Sequence, residues 1–395
     1  MGFRILRSYF AHFFVYLFKA KTTDRMTYIE IDSPDQLGLL LQRGTRINQY
    51  VFRNLDFTPV EGMAANRIFT DCIFLGCTLP DAMHEALGRS CLIFPQIDVP
   101  YNVHRSELYS PEELYAGYKP EQPETQATCY DGRVYSHYLA QGKTSRNLRI
   151  TLARSLHDHS ISDALHDYLS SYDERHLVGI MGGHGLLRTD AAYHRVARIS
   201  KQLTEAGYLM ISGGGPGAME ATHLGAWVAG RTDEELNEAI ELLSIAPSFR
   251  DEGWLATSFE VRRRWPQEKY ESLGVPTWLY GHEPATPFAT HIAKYFDNSI
   301  REDGILTIAK GGIIYSPGSA GTLQEIFQDA VQNHYLSFGY ASPMIFLDSD
   351  YWTKQIPVYP LLEELLSKGR YKNLILSLSD DEADVIAEIR KFTAE

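Results

Sequence analysis

The chain has 395 residues, with 50 acidic and 37 basic side chains, a formal net charge of −13 and 44% hydrophobic residues. This composition excludes disordered, collagen-like and disulfide-framework proteins, and the length predicts two or three domains, each able to bury its own core. The acidic surplus argues against nucleic acid or an anionic membrane as the main partner, because both favour clustered Lys and Arg.

The first segment, residues 3–25, joins basic positions to an apolar aromatic run of about ten residues. A bilayer-spanning helix needs about 20 residues, so the run is too short to cross a membrane. Three interpretations stay open: an upstream start with Met26 as the true initiator, an interfacial membrane anchor, or a signal peptide.

Residues 26–148 are predicted to form a loop-rich N-terminal domain, either α+β or mostly β, because short apolar runs alternate with Asn, Asp, Tyr and Pro. The stretches 52–57 and 69–77 hint at the rhythm of a small β-solenoid. The polar, Pro-bearing stretch 118–132 is the best candidate for a linker or long loop. The cysteines show no CxxC spacing, which favours buried thiols in a reducing, cytoplasmic compartment; they are Cys72, Cys77, Cys91 and Cys129.

Residues 149–395 alternate apolar runs with amphipathic segments, which predicts βαβ units and a Rossmann-like, doubly wound parallel sheet of the α/β class. A helix is predicted near 148–171. We predict strands at 177–181, 208–212, 275–280, 312–317, 343–348 and 373–378, and helices near 190–206, 217–229, 287–302, 320–334, 358–368 and 381–392. Residues 231–270 form an insertion with an acidic helix, which is either a solvated surface or a lid or oligomer contact.

Three glycine-rich turns directly follow predicted strands: GGHG at 182–185, GGGPGAME at 213–220 and PGSAGTLQE at 317–325. The carboxyl ends of parallel strands share one edge of the sheet, which is where ligands bind. Two of the turns lead into helices, whose first-turn amides and positive dipole end attract phosphate. The sequence therefore predicts a site for a nucleotide or a phosphorylated sugar.

Two other nucleotide motifs are absent. The run GKT at 142–144 is not a Walker A loop, because His137 stands where that loop needs glycine. The dinucleotide fingerprint is missing too, since the turn after the first strand is GGHG and no acidic residue closes the second strand. We therefore expect neither NAD nor ATP-driven chemistry.

The last two turns resemble the paired motifs GGGxxGxM and PGGxGTxxE of the LOG (Lonely Guy) superfamily, once mislabelled lysine decarboxylases. Its characterised members are nucleoside 5′-monophosphate phosphoribohydrolases. The first motif matches fully, whereas the second departs at Ser319, where the family usually has glycine. The resemblance covers roughly residues 175–395, and the N-terminal domain and insertion are closer to the larger bacterial purine/pyrimidine nucleotide 5′-monophosphate nucleosidases.

The resemblance implies release of a free base and ribose 5-phosphate from a nucleoside 5′-monophosphate, by a homodimer or higher homo-oligomer without a cofactor. It implies a catalytic Glu, which corresponds to Glu325, and a catalytic Arg, for which Arg301 is the match before Pro317. Glu220 is a second carboxylate predicted at the same edge. The predicted substrate-binding residues are Gly182, Gly183, Gly213, Gly214, Gly215, Gly217, Met219, His282, Pro317, Gly318, Ser319, Gly321 and Thr322.

Simpler roles stay open for these side chains. The helix dipole alone favours Glu at a helix start and Arg at a helix end, which would account for Glu325, Glu220 and Arg301 without catalysis. The loop 280–284 either reads the base, gates entry or only packs. His159, Asp163 and His166 have metal-like spacing, but we interpret them as a solvated helix face and expect no catalytic metal.

Two other functions compete with the nucleosidase. A non-catalytic sensor would bind a nucleotide or alarmone through the same loops, without needing both Arg301 and Glu325. An amino-acid decarboxylase would need a lysine for pyridoxal phosphate, and Lys310 is the only lysine near the loops.

Overall fold

The computed structural model describes residues 28–88 and 90–394. The segment 3–25, with its three interpretations, lies outside the described residues. The chain divides into two compact units: the first extends to Ser106 and includes Leu148–Ser160, and the second contains Glu107–Asn147 and the residues from Ile161 onward. Within the described part, no helix is both long and apolar enough to cross a membrane.

The first unit is built from short parallel strands joined by helices. Its strands are β1 (Ile29–Ile31), β2 (Arg46–Asn48), β3 (Tyr50–Arg53), β4 (Ile68–Thr70), β5 (Ile73–Leu75) and β6 (Leu92–Phe94). Its short helices are α1 (Pro34–Arg43), α2 (Glu61–Ala64) and α3 (Asp81–Leu87), with a 3₁₀ turn at Thr58–Val60. One sheet has the order β1-β3-β5-β6, and the other consists of β2 and β4.

Successive turns of the first unit stack in parallel, as a solenoid requires. Phe52 pairs with Phe74 in one sheet, and Ile47 pairs with Phe69 in the other at the same sequence offset. The Phe52 and Phe74 rings stack with centroids 4.8 Å apart. Cys72 is buried beside them, and burial raises the pKa of its thiol to about 11. The hint of a β-solenoid in 52–57 and 69–77 is therefore confirmed for these turns.

The second unit contains the larger sheet. Its strands are β7 (Leu177–Met181), β8 (Leu209–Ser212), β9 (Ser272–Gly274), β10 (His291–Ile292), β11 (Gly312–Tyr315), β12 (Pro343–Leu347) and β13 (Ile375–Ser379). Helix α6 (Leu148–Leu169) belongs to this unit from Ile161 onward. The other helices of the unit are α4 (Pro111–Leu114), α5 (Tyr130–Ala140), α7 (Ala191–Glu205), α8 (Ala218–Trp227), α9 (Asp233–Leu243), α10 (Trp254–Arg264), α11 (Asn298–Ile308), α12 (Ala320–Tyr335), α13 (Val358–Ser367) and α14 (Glu382–Ala394).

The seven strands follow the order β10-β9-β8-β7-β11-β12-β13, and every pairing is parallel. The chain builds outward from β7 to β10 and then returns to place β11 on the other side of β7. The order reverses between β7 and β11, which makes this gap the topological switch point. The strands at the centre are fully buried and apolar, as parallel sheets covered on both faces require. The predicted Rossmann-like α/β fold is confirmed.

Two predicted elements are wrong. The stretch 275–280 is not a strand: β9 ends at Gly274, and Thr277 caps a 3₁₀ turn at Trp278–Tyr280. Pro276 has no N–H to donate, so the ladder is interrupted there, and beyond it an isolated parallel bridge pairs Thr277 with Tyr295. Residues 287–297 do not belong to a helix either, because β10 intervenes and α11 begins only after Asp297, whose side chain accepts a hydrogen bond from the Ser299 amide.

Residues 107–147, which the sequence groups with the N-terminal domain, lie in the second compact unit. Tyr109 exchanges two backbone hydrogen bonds with Ile292 of β10. Asp131 on α5 accepts a 2.6 Å hydrogen bond from Lys294, which is 1% exposed, and another of 2.9 Å from the Trp278 indole. A buried ammonium needs such a partner, so this pair ties 107–147 to the segment that follows β10.

Candidate functional site

The three glycine-rich turns meet at the switch point. The Gly183 amide, after β7, donates a 2.9 Å hydrogen bond to the Pro317 carbonyl, after β11. The Gly183 carbonyl in turn accepts a 3.1 Å bond from the amide of Ala218, the first residue of α8. A single residue therefore joins the loops that follow β7, β8 and β11. The predicted residues in these loops are Gly182, Gly183, Gly213, Gly214, Gly215, Gly217, Met219, Pro317, Gly318, Ser319, Gly321 and Thr322.

Glycine is required where these loops touch. Gly214 and Gly217 have φ values of +72° and +70°, in the left-handed region that side chains rarely adopt. A Cβ on Gly217 would lie closer than 3.0 Å to the Gly183 carbonyl oxygen, and one on Gly318 would come equally close to Thr322 Oγ1. The loops can therefore pack only as bare backbone.

The helix that follows the last loop starts without a side-chain cap. Ser319 is the N-cap of α12, and its hydroxyl makes no capping hydrogen bond. The first-turn amides thus keep their capacity for an anion, and no heavy atom lies within 4 Å of a Cβ placed on Gly321. Ser319 has φ −116°, so its departure from the family glycine brings no left-handed strain. Tyr351 anchors the loop through a 2.6 Å hydrogen bond to the Gly318 carbonyl.

Arg301 lies at the carboxyl ends of β8 and β9. Its Nε donates a 2.7 Å hydrogen bond to the Val275 carbonyl. A Cβ on Gly213 would lie closer than 3.0 Å to Arg301 Nη2 and to the Met219 sulfur. The guanidinium therefore fills the space that glycine leaves open at the first residue of the GGGPGAME loop.

Glu325 projects from α12 beside α11, which carries Arg301. The two helices are joined by a 2.9 Å hydrogen bond from Gln324 to Glu302. Burial raises the pKa of Glu325 to about 7, the Arg301 charge opposes the rise, and the Glu302 charge adds to it. A half-buried carboxyl with a raised pKa, in the electrostatic range of a guanidinium and next to an uncapped helix start, is the kind of arrangement that marks a candidate site.

Glu220 is enclosed rather than directed at the cleft. Its carboxylate is 0% exposed and forms a bidentate pair with Arg188, with Nε–Oε2 2.9 Å and Nη2–Oε1 2.5 Å. The Tyr193 hydroxyl donates a third bond of 3.1 Å, and the Ser258 hydroxyl a fourth of 3.4 Å. With both oxygens engaged in the core, Glu220 has a structural role, which corrects the prediction that it joins the reaction site.

The insertion takes part in this enclosure. Arg188 also donates to the carbonyls of Leu243, Ala246 and Trp254, which belong to residues 231–270. Apolar side chains of α9 and α10 lie in the main core of the second unit. The insertion is therefore anchored to the sheet edge through a buried arginine.

A second carboxyl group lies one turn of α12 beyond Glu325. Asp329 is 2% exposed and accepts a 2.7 Å hydrogen bond from the Tyr315 hydroxyl, at the end of β11. Burial raises the pKa of Asp329 to about 7, while the Tyr315 bond lowers it. Glu325 and Asp329 thus form a titratable pair on one face of the helix.

Two sequence candidates lie elsewhere. Lys310 precedes β11, at the amino end of the strand, and forms a 2.7 Å ion pair with Glu174. It is therefore at the edge opposite to the glycine loops, which argues against a pyridoxal phosphate lysine. His159 and His166 are both exposed on α6. Within residues 28–88 and 90–394, no group of three or more His, Cys, Asp or Glu is arranged to hold a metal ion.

Sequence reasoning missed Arg188, Tyr351 and Asp329. Asp329 carried a usable signal, because it lies four residues after Glu325 and so shares its helix face. Arg188 carried a weaker one, as an arginine in the loop between β7 and α7. Tyr351 lies in the π-helical turn Tyr351–Gln355 after β12, and no local pattern connects it with Gly318.

The fold defines the chain as a Rossmann-like α/β protein with glycine loops at its switch point. No protein-family model matches the chain, and no curated protein matches it. It is similar to the solved structure of the molybdenum cofactor binding protein from the phototrophic bacterium Rippkaea orientalis, with 15% identity and a TM-score of 0.34 over 55% of this chain and 96% of that chain. It is also similar to the molybdenum cofactor carrier protein from Chlamydomonas reinhardtii, with 15% identity and a TM-score of 0.35 over 55% of this chain and 98% of that chain.

Proposed function

We propose that this protein hydrolyses the N-glycosidic bond of nucleoside 5′-monophosphates, releasing a free base and ribose 5-phosphate. The observation that carries the proposal is the grouping of Arg301 and Glu325 beside the uncapped start of α12. Arg301 lies against Gly213, and its charge acts on Glu325. Glu325 ends the second of the two glycine motifs that resemble the LOG superfamily, and Arg301 is the match for the family arginine that precedes this motif.

The arrangement of these groups along α12 suggests how a bound nucleotide would be cleaved. The 5′-phosphate would bind the amides at the start of α12, where the dipole is positive. This brings the ribose to the next turn of the helix, where Glu325 projects. As the C1′–N bond breaks, positive charge develops on the ribose ring, and a carboxylate beneath it stabilises that charge.

Water completes the reaction. It adds its oxygen to C1′, and the departing base carries away the electron pair of the broken bond and one proton. Glu325, with its pKa raised to about 7, is partly ionised at neutral pH and so can supply either the negative charge or a site for the water proton. Arg301 would neutralise the phosphate or the departing base.

The proposal is tested by base release from a panel of purine and pyrimidine nucleoside 5′-monophosphates, followed by chromatography. We expect Glu325→Gln to abolish release, because the amide keeps the shape and loses the charge. Glu241→Gln, on the exposed side of α9, is the matched control and should retain it. Nucleotide binding without release from any nucleotide would contradict the proposal and favour the non-catalytic sensor.

A further inference from the structure

Glu283 is a largely enclosed carboxylate that the reaction described above does not use. Its side chain is 17% exposed, and its Oε1 lies 3.9 Å from His184 Nε2 and 3.8 Å from His282 Nε2. Both histidines are about half exposed or more, at 49% and 60%. Among the described residues, neither carboxylate oxygen accepts a hydrogen bond. Because the side chain keeps some exposure and both histidine nitrogens are beyond hydrogen-bond distance, its acceptors are available to a ligand.

The position of Glu283 relates it to the nucleotide site. Its Oε2 lies 3.9 Å from where a Cβ on Gly215 would be, and the Met219 methyl group contacts the same point. The Met219 sulfur packs two residues earlier, at Gly213, together with Arg301. Met219 therefore lies against both Gly213, next to Arg301, and Gly215, next to Glu283. A nucleotide whose phosphate and ribose lie on the Arg301 side would have its base on the Glu283 side.

An aromatic ring from the insertion lies at the same place. The Phe249 ring is 6.1 Å from the His184 ring and meets it edge to face, at 76°. Phe249 is half-buried, and the Arg250 guanidinium lies 5.0 Å from its centroid. Phe249 and Glu283 are both neighbours of His184. An aromatic ring and a carboxylate around one histidine match a planar heterocycle that stacks on one side and donates hydrogen bonds at its edge.

We propose that Glu283 reads the base of the bound nucleotide and selects guanine; this inference rests on the proposed function. A carboxylate binds best to two donors that lie side by side. Guanine offers such a pair in its N1–H and 2-amino groups. Adenine, cytosine and uracil each place an acceptor next to their donor, so they would leave one carboxylate oxygen without a partner.

The test compares kcat/KM for GMP and AMP in the wild-type protein, Glu283→Gln and the control Glu241→Gln. We expect Glu283→Gln to lower kcat/KM for GMP by about 100-fold and to change that for AMP by less than about threefold. Retained AMP cleavage also shows that the variant is folded. An equal loss for both nucleotides would overturn the inference.

Two further measurements distinguish base recognition from ribose recognition, and failure of this inference from failure of the proposed function. If Glu283 holds the ribose hydroxyls instead, the effect of Glu283→Gln would disappear with 2′-deoxy-GMP, and the inference would be wrong. If the wild-type protein cleaves no nucleotide, the proposed function fails by itself. Calorimetric binding of GMP and AMP then decides the inference, which requires a preference for GMP that Glu283→Gln removes.

Discussion

Arg301 occupies the space into which a side chain at Gly213 would project. The two residues come from different elements, the loop after β8 and helix α11, and a Cβ on Gly213 would lie closer than 3.0 Å to the guanidinium. The guanidinium is also held by the Val275 carbonyl, so it cannot withdraw without losing a hydrogen bond. The first glycine of the GGGPGAME motif therefore leaves open the space that the Arg301 guanidinium and the Met219 sulfur fill.

This relationship predicts that Gly213→Ala displaces Arg301. We expect kcat/KM for base release to fall about 100-fold, because small displacements of a positioned group have effects of that size. Gly185→Ala is the control, since it lies in a neighbouring glycine loop with no heavy atom within 4 Å of its Cβ. Equal activity of the two variants would show that the Arg301 position does not matter.

Much of the larger sheet was predictable because its strands are continuous apolar runs. LVGIM at 177–181 and PMIFLD at 343–348 correspond closely to β7 and β12, since a strand covered on both faces leaves little choice of register. The stretch 275–280 failed because Pro276 interrupts an otherwise apolar run. The missing N–H of Pro276 is visible in the sequence, so the proline was a better guide to this stretch than its apolar composition.

The site was only partly predictable, for a different reason. The glycine motifs fix the loops locally, so Gly183, Gly217 and Gly318 lie together as expected. Glu220 stands in the same motif, yet its direction depends on Arg188, 32 positions earlier, and on a serine from the insertion. Whether a carboxylate faces the cleft or the core is decided by distant partners, which a local pattern does not contain.

The pKa of Glu325 predicts the acid limb of the pH–rate profile. An ordinary Glu titrates near about 4.3, but the pKa of Glu325 is raised to about 7 by burial. If the carboxylate is the active form, kcat/KM should fall about tenfold per pH unit below pH 7 and level off above it. A profile that stays flat down to about pH 5 would contradict this role.

Arg301 should control the position of that limb. Its positive charge lowers the pKa of Glu325, so Arg301→Gln should move the acid limb to higher pH, in addition to any loss of rate. Arg301→Lys keeps the charge and should move the limb less. The measurement is kcat/KM across the pH range for all three proteins, and a limb that does not move in Arg301→Gln would show that the two charges are independent.

Asp329 predicts how stability changes with pH. The pKa of its buried carboxyl is raised to about 7, whereas an unfolded Asp titrates near about 3.9. Between these values the folded state binds a proton that the unfolded state has lost. The protonated Asp329 carboxyl therefore makes its full contribution to the unfolding free energy below about pH 4, and this contribution is lost as the pH rises through about 7. The unfolding free energy of the wild-type protein should fall between about pH 5 and pH 8. We expect Asp329→Asn to make this fall smaller by about 1–3 kcal/mol.

Tyr315→Phe provides the opposite control. The Tyr315 hydroxyl hydrogen-bonds Asp329 and thereby lowers the pKa of that carboxyl. Without this hydroxyl, the pKa of Asp329 should rise further, and the decline of stability should extend to higher pH. Urea unfolding at several pH values measures both variants. If Asp329→Asn follows the wild-type pH dependence, the carboxyl does not titrate in the folded protein.

The Arg188–Glu220 pair predicts a large and strongly coupled effect on stability. Both side chains are at most 1% exposed, so removing one partner leaves a buried charge without its counterion. We expect Glu220→Ala to lower the unfolding free energy by about 3–5 kcal/mol. Arg188→Ala should cost at least as much, because the carbonyls of Leu243, Ala246 and Trp254 also lose a donor. Because each single variant already loses the ion pair, the double variant should lower the unfolding free energy by about 1–3 kcal/mol less than the sum of the two single variants. Strict additivity in urea unfolding would mean that the pair contributes no coupling, and that Glu220 is buried for a reason other than its arginine.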